Sequence, residues 1–167
     1  VGLRTSFVLS PPQLNWTGLA PGATNQTPNN DPIVLNNTGN DAIPTSEIEI
    51  NASNLYGEDN SNYALWGGNF SADTATGGAS CVADACTECF GTKMNNSLWA
   101  NVTGASLPKG NYTKNDGTAQ EQLYVCLRLV GSELINQAYS TKQGTWTIRI
   151  LLVAITIKKR KKNKLKK

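Results

Sequence analysis

Apolar residues in this chain recur mostly at every second position, and that spacing confines it to β-structure, because only a strand presents alternate side chains to opposite faces. Leu3, Thr5, Phe7 and Leu9 alternate with Arg4, Ser6, Val8 and Ser10 until Pro11-Pro12 stops the run. Ile48 and Ile50 alternate with Glu47, Glu49 and Asn51, and Leu123, Val125, Leu127 and Leu129 alternate with Tyr124, Cys126, Arg128 and Val130. Between these runs lie Pro21-Gly22-Ala23, Asn29-Asn30-Asp31-Pro32, Thr38-Gly39-Asn40-Asp41, Gly67-Gly68-Asn69 and Asn115-Asp116-Gly117, which supply the positive or fixed φ angles of tight turns. No stretch of twelve carries the i, i+3, i+4, i+7 pattern of an amphipathic helix. The expected fold is all-β, an antiparallel β-sandwich with Greek-key or jelly-roll connections. At 167 residues it is one domain with tails: a strand over 1–10, the sandwich over 11–157 and a polybasic tail over 158–167.

The run from Trp146 to Ile157 precedes that tail as an apolar stretch precedes the basic flank of a membrane anchor. It is 12 residues long and contains Arg149. As a helix it would reach ~18 Å, against the ~30 Å hydrocarbon core that a span must cross. Its β-branched content favours a last, long, central strand with Trp146, Ile148, Ile150 and Leu152 on one face.

Charge is divided along the chain. The formal net charge is +3, yet eight of the fifteen basic residues lie between Lys158 and Lys167, and the body without them carries −5. An acidic body with a +8 tail suits an anionic surface polymer, or the acidic body of a second copy. A nucleic-acid role is disfavoured, since no aromatic residues are interleaved with Lys and Arg in the body.

The chain contains no His, which removes His metal sites and the Ser-His and Cys-His nucleophilic pairs. Glu47 and Glu49 share a strand face as a glycosidase pair would, but alternation with Ile48 and Ile50 makes that face the solvated one. Asp31, Asp41, Glu58, Asp59 and Asp73 lie in loops without the spacing of a calcium-binding loop. Trp16, Trp66, Trp99 and Trp146 read as packing residues. No catalytic residue, resident metal, cofactor or small-molecule substrate is expected; the chain is read as not an enzyme.

Cys81, Cys86 and Cys89 form C-x4-C-x2-C, with Cys126 after a further 36 residues. The opening spacing is that of plant-type [2Fe–2S] proteins, and four thiolates also suit zinc, but two disulfides are the favoured reading, with the pairing left open. Asn-x-Ser/Thr occurs at Asn15, Asn25, Asn36, Asn51, Asn69, Asn95, Asn101 and Asn111, where about three are expected by chance at this composition. The chain opens at Val1, which reads as the terminus left after removal of a secretory leader. Sequons and cysteines together point to a secreted, N-glycosylated protein of the cell surface.

The segment from Leu14 to Gly22, LNWTGLAPG, followed by Asp31-Pro32-Ile33-Val34-Leu35-Asn36-Asn37-Thr38-Gly39-Asn40, resembles the opening of archaeal secreted β-sandwich fibre subunits of the bundling-pilus type, and more distantly the bacterial TasA and camelysin biofilm-fibre proteins. The resemblance covers about the first quarter of the chain. It implies a homopolymer built by donor-strand complementation, in which residues 1–10 of one subunit enter the sheet of the next and Leu3, Phe7 and Leu9 fill its pockets. Strands over 47–53, 122–130 and 145–157 would form the acceptor core. The rival expectations are a non-polymeric surface adhesion module held by its basic tail and, more remotely, a [2Fe–2S] electron carrier.

Overall fold

A computed structural model describes residues 2–74, 91–96, 98–110 and 119–151. Within them the chain is almost entirely antiparallel β-structure, and its helical content is one 3-10 turn, Gly67–Asn69. The largest sheet contains β1 (Phe7–Ser10), β3 (Ile33–Asn37), β10 (Gln120–Leu129), β7 (Phe70–Thr74) and β8 (Thr92–Lys93) in that order, and β2 (Thr24–Gln26) continues the β3 side of β10. Two three-stranded sheets face it. One runs β12 (Thr147–Ile150), β4 (Ile48–Asn51), β9 (Ala100–Asn101), and the other β11 (Tyr139–Ser140), β5 (Leu55–Gly57), β6 (Ala64–Leu65).

The three sheets close over one core. Leu35, Phe70, Leu123, Val125 and Leu127 from the large sheet meet Ile48, Ile50 and Leu65 from the smaller ones, all buried. Period two decides which residues take part: β3 and β4 alternate buried and half-buried along their whole length, so Ile33 and Leu35, and Ile48 and Ile50, point inward. β10 departs from that alternation. It is paired on both sides, by β3 and β2 and by β7, and every residue from Leu123 to Leu127 is buried, so both of its faces are covered. Its neighbours β3 and β7 are distant in sequence, as interleaved Greek-key connections require.

Several local features are turn chemistry acting as expected. At Pro21-Gly22 the glycine adopts φ +79°, and its N–H bonds the Val130 carbonyl at 3.0 Å. An aromatic triad fills the space between the sheets, with Trp16 edge-on to Phe70 at 5.5 Å and Phe70 edge-on to Trp146 at 4.8 Å.

The structure corrects four expectations. The last strand is an edge rather than a central strand among the described residues, because β12 is paired with β4 alone; Trp146, Ile148 and Ile150 still pack on the core, and Leu152 lies outside the described residues. Leu129 continues the alternation of β10 but is 45% exposed, since the strand runs past the facing sheet there. Trp66 is 55% exposed beside the 3-10 turn instead of packed. Glu49 is not a solvated surface carboxylate: Arg149 Nε and Nη2 both reach its Oε2 at 2.7 Å, while the guanidinium stacks 3.9 Å from the centroid of Trp99.

Strand register gives the molecule two poles. β10 leaves Gln120 at one end, level with Asn36 of β3, and reaches Leu129 at the other, level with Thr24 of β2. β12 runs from Thr147, opposite Asn51, to Ile150, opposite Ile48, and Leu151 N–H bonds the Glu47 carbonyl at 2.7 Å. Residues 2–6 and Leu151 therefore share the pole that carries residues 37–47 and 107–110.

Candidate functional site

At the edge of the large sheet, β1 pairs antiparallel with β3, with Phe7 opposite Asn37 and Ser10 opposite Val34. Upstream of it the chain is held by main-chain contacts to the turn after β3: Thr38 and Gly39 N–H both reach the Ser6 carbonyl, and Asn40 N–H reaches the Arg4 carbonyl at 2.9 Å. Asn40 Oδ1 accepts from Arg4 N–H. Gly39 is required for this approach, because a Cβ there would collide with the Arg4 carbonyl. The side chains of the same segment are poorly covered. Phe7 packs on the core, whereas Leu3 is 76% and Val8 54% exposed, and Leu9 lies at the mouth of a groove.

That groove is the second feature of the site. Its first compartment, about 230 Å³, lies between Leu9, Pro11 and Pro12 on one side and Thr145, Trp146 and Ile148 of β12 on the other, floored by Ile33 and Ile50. Its second compartment, about 670 Å³, is walled by Leu19, Leu65, Val130, Leu134, Ile135 and Tyr139. Leu14, Trp16 and Leu55 line both and make them continuous. Its lining from Thr145 to Ile148 and from Val130 to Tyr139 lies away from the Glu47–Leu151 contact.

Its walls are fixed by hydrogen bonds. Trp16 Nε1 donates to the Gln26 carbonyl at 3.1 Å and Trp146 Nε1 to the Ser53 carbonyl at 2.9 Å, so both indoles hold their orientation. Gln137 Oε1 accepts from Asp59 and Asn60 N–H at 3.0 and 2.8 Å, latching the β5–β6 loop to the 131–139 wall. Tyr139 Oη donates to the Ile135 carbonyl at 3.0 Å. Beside this latch the surface is acidic: Glu58 and Asp59 lie in the latched loop and Glu133 precedes Leu134. Lys142 is 2.9 Å from Glu58, and its hydrogen bond and charge, together with a hydrogen bond from Ser140, hold that carboxyl below its usual range.

The remaining candidate residues do not converge. Among the described residues no group of three Cys, Asp or Glu is placed to hold a metal ion. Asp41 and Asp73 cap neighbouring N–H groups, of Ala42 and Thr74. Asp31 accepts from Val125 N–H through Oδ1 at 3.2 Å and leaves Oδ2 buried without a partner; burial pushes its carboxyl up to about 6, and the Val125 bond opposes this only in part. Cys126 is disulfide-bonded, and Cys81, Cys86 and Cys89 lie outside the described residues.

The sequons divide by environment. Asn15, Asn25 and Asn95 are exposed, and Asn36, Asn51, Asn69 and Asn101 are half-buried in or beside strands. Asn69 Nδ2 donates to the Leu129 carbonyl, and Asn101 Nδ2 is shut away from solvent. Asn111 and the tail from Lys158 to Lys167 lie outside the described residues.

Sequence reasoning missed the groove, because its lining comes from five separated segments; the one local signal was Trp16 and Leu19 in a turn-rich stretch with no strand of their own to pack. No family model matches this chain, and no curated protein or solved structure matches it.

Proposed function

We propose that the chain is a structural subunit of an extracellular filament, assembled by exchange of the N-terminal strand between copies. The observation that carries this reading is β1. It is an edge strand held to β3 largely through main-chain bonds, and its apolar side chains remain mostly open. A strand of that kind has the same main-chain bonds available on the β3 of a second copy, so exchange is close to neutral in bonding and gains any contacts that bury Leu3, Val8 and Leu9. Pro11-Pro12, which cannot extend the sheet, mark the hinge between the strand and the body.

Secretion, glycosylation at the sequons and the likeness to archaeal bundling-pilus subunits belong to the same proposal, supported by the sequon number, the disulfide-bonded Cys126 and the 14–40 motif. Electron microscopy of the purified protein tests it. Uniform filaments are expected from the full chain, and soluble monomers from a chain lacking residues 1–10; filaments that persist after that deletion refute the exchange. The adhesion-module reading predicts discrete particles from both.

A further inference from the structure

We propose that the apolar groove receives residues 152–157 of a second copy, with the basic residues that follow them meeting the acidic border formed by Glu58, Asp59 and Glu133. This contact is separate from exchange of β1 at β3 and does not depend on it.

Three observations lead there. First, the occupant has to be extended and apolar. The groove runs beside β12, whose paired side among the described residues is the one against β4, and its apolar lining of Leu9, Leu14, Trp16, Leu55, Trp146 and Ile148 is bordered by polar groups of Thr141 and Thr145 in one compartment and of Asn136 and Gln137 in the other. A strand laid there finds main-chain partners on the β12 edge and apolar pockets on either side. Residues 152–157, Leu-Val-Ala-Ile-Thr-Ile, have that character.

Second, the groove's border selects by charge. Glu58 and Asp59 lie in the latched loop and Glu133 precedes Leu134 of the groove wall, and among the described residues Lys142 is paired with Glu58. The sequence places eight Lys and Arg residues directly after Ile157, so one continuous segment offers an apolar stretch and then a basic one, in the order in which the groove offers an apolar trough and an acidic border. The N-terminal strand, the other apolar segment available, brings only Arg4 and is already paired with β3.

Third, the direction of the chain makes the donor a second copy. Leu151, the residue before the segment, lies at the Glu47 pole, whereas Thr145 and Leu134 of the groove lie toward the other. To enter its own groove the segment would have to reverse at once, and residues 150–157 contain no Gly, Pro, Asn or Asp with which to turn. Continuing forward, six extended residues reach about 20 Å beyond the body, enough to enter a neighbour stacked on that pole.

Photo-crosslinking of the full chain tests this. The photoreactive amino acid p-benzoylphenylalanine replaces Ile155, and isotope-labelled and unlabelled protein are mixed before irradiation. Peptides joining the probe of one copy to segments 14–19 or 134–139 of the other are expected. Ile135→Asp combined with Glu133→Lys, both at exposed positions, should lower their yield about tenfold while leaving the melting temperature unchanged. Crosslinks confined to single copies, crosslinks to other surfaces, no crosslink, or an unchanged yield in the double variant would each overturn the inference. Filaments seen without groove crosslinks overturn it while leaving strand exchange intact; groove crosslinks without filaments uphold it and count against the filament.

Discussion

Asp31 gives the fold a pH dependence that is calculable from its surroundings. Its carboxyl is raised from 3.8 to about 6, first by burial, and Oδ2 has no hydrogen-bond partner to repay lost hydration. An acid whose folded pKa lies above its unfolded value binds a proton more tightly in the native state, so the fold is relatively stabilised below about pH 4 and loses that advantage as pH rises through 6. For a fully dehydrated group the gap would amount to about 3 kcal/mol; Asp31 keeps part of its water, and about 1–2 kcal/mol at pH 7 is the expected penalty. Asp31→Asn preserves the acceptor for Val125 N–H and removes the charge. Urea unfolding of both proteins at pH 4, 5, 6 and 7 isolates the effect, because titration common to both cancels. The Asn variant should gain about 1–2 kcal/mol on the parent between pH 4 and pH 7, with most of the change by pH 6.5. A difference that stays flat, or that moves in the parent's favour as pH rises, would refute the reasoning.

Other consequences are local. Arg149→Ala breaks a half-buried ion pair and removes the stack on Trp99 together, a loss of about 2 kcal/mol in thermal or denaturant unfolding, while Arg149→Lys should restore less than half because an ammonium does not reproduce the planar stack. A double-mutant cycle with Trp99→Leu separates the two contributions. Gly39→Ala pushes a methyl group into the Arg4 carbonyl and should loosen residues 2–6, read as about tenfold faster tryptic cleavage after Arg4 for about 1.4 kcal/mol of lost docking. On the proposed reading, glycopeptide mass spectrometry of natively produced protein should find sugar on Asn15, Asn25 and Asn95 and none on Asn101, whose amide nitrogen is enclosed by the fold.

The architecture was legible wherever one strand face is wet. Alternation gives the inward residues of β4 and β12 and Leu123, Val125 and Leu127 of β10, whereas β3, which alternates just as cleanly, is missing from the expected strands; of the turn clusters, Asn115-Asp116-Gly117 lies outside the described residues. It failed where the period-two signal has no physical basis. β7 is buried at all five positions and β10 at Leu123–Leu127, so Tyr124 and Cys126 lie inside although their spacing reads as solvated, and Asp73, expected in a loop, lies in a buried strand. Central or edge position depends on pairing, which is a long-range property: Trp146–Ile157 has the composition of a central strand, and β12 is nevertheless an edge. Arg149 was the local clue. A guanidinium on a central strand would have to be dehydrated, whereas on an edge it reaches both Glu49 and the Trp99 face.

That edge bears on assembly. A strand such as β12, β-branched, apolar and paired on one side alone among the described residues, invites pairing with other chains unless something covers it. Here the covering element on the proposed reading comes from a neighbour, and its charge restricts which neighbour. On that reading the basic residues 158–167, which carry like charge, meet the acidic border of Glu58, Asp59 and Glu133. Two copies stacked end to end about a two-fold axis would bring like poles together and place +8 against +8, so an end-to-end contact is favoured head-to-tail. A head-to-tail contact that does not close into a ring propagates, and it does so with a strong dependence on salt: raising ionic strength from ~0.01 to ~1 M shortens the screening length from about 30 to about 3 Å and should dissolve the groove contact while leaving main-chain exchange at β3 largely intact. Light scattering of the full chain across that range distinguishes the two contacts. Assembly insensitive to salt would mean that the tail contributes no electrostatic term to it.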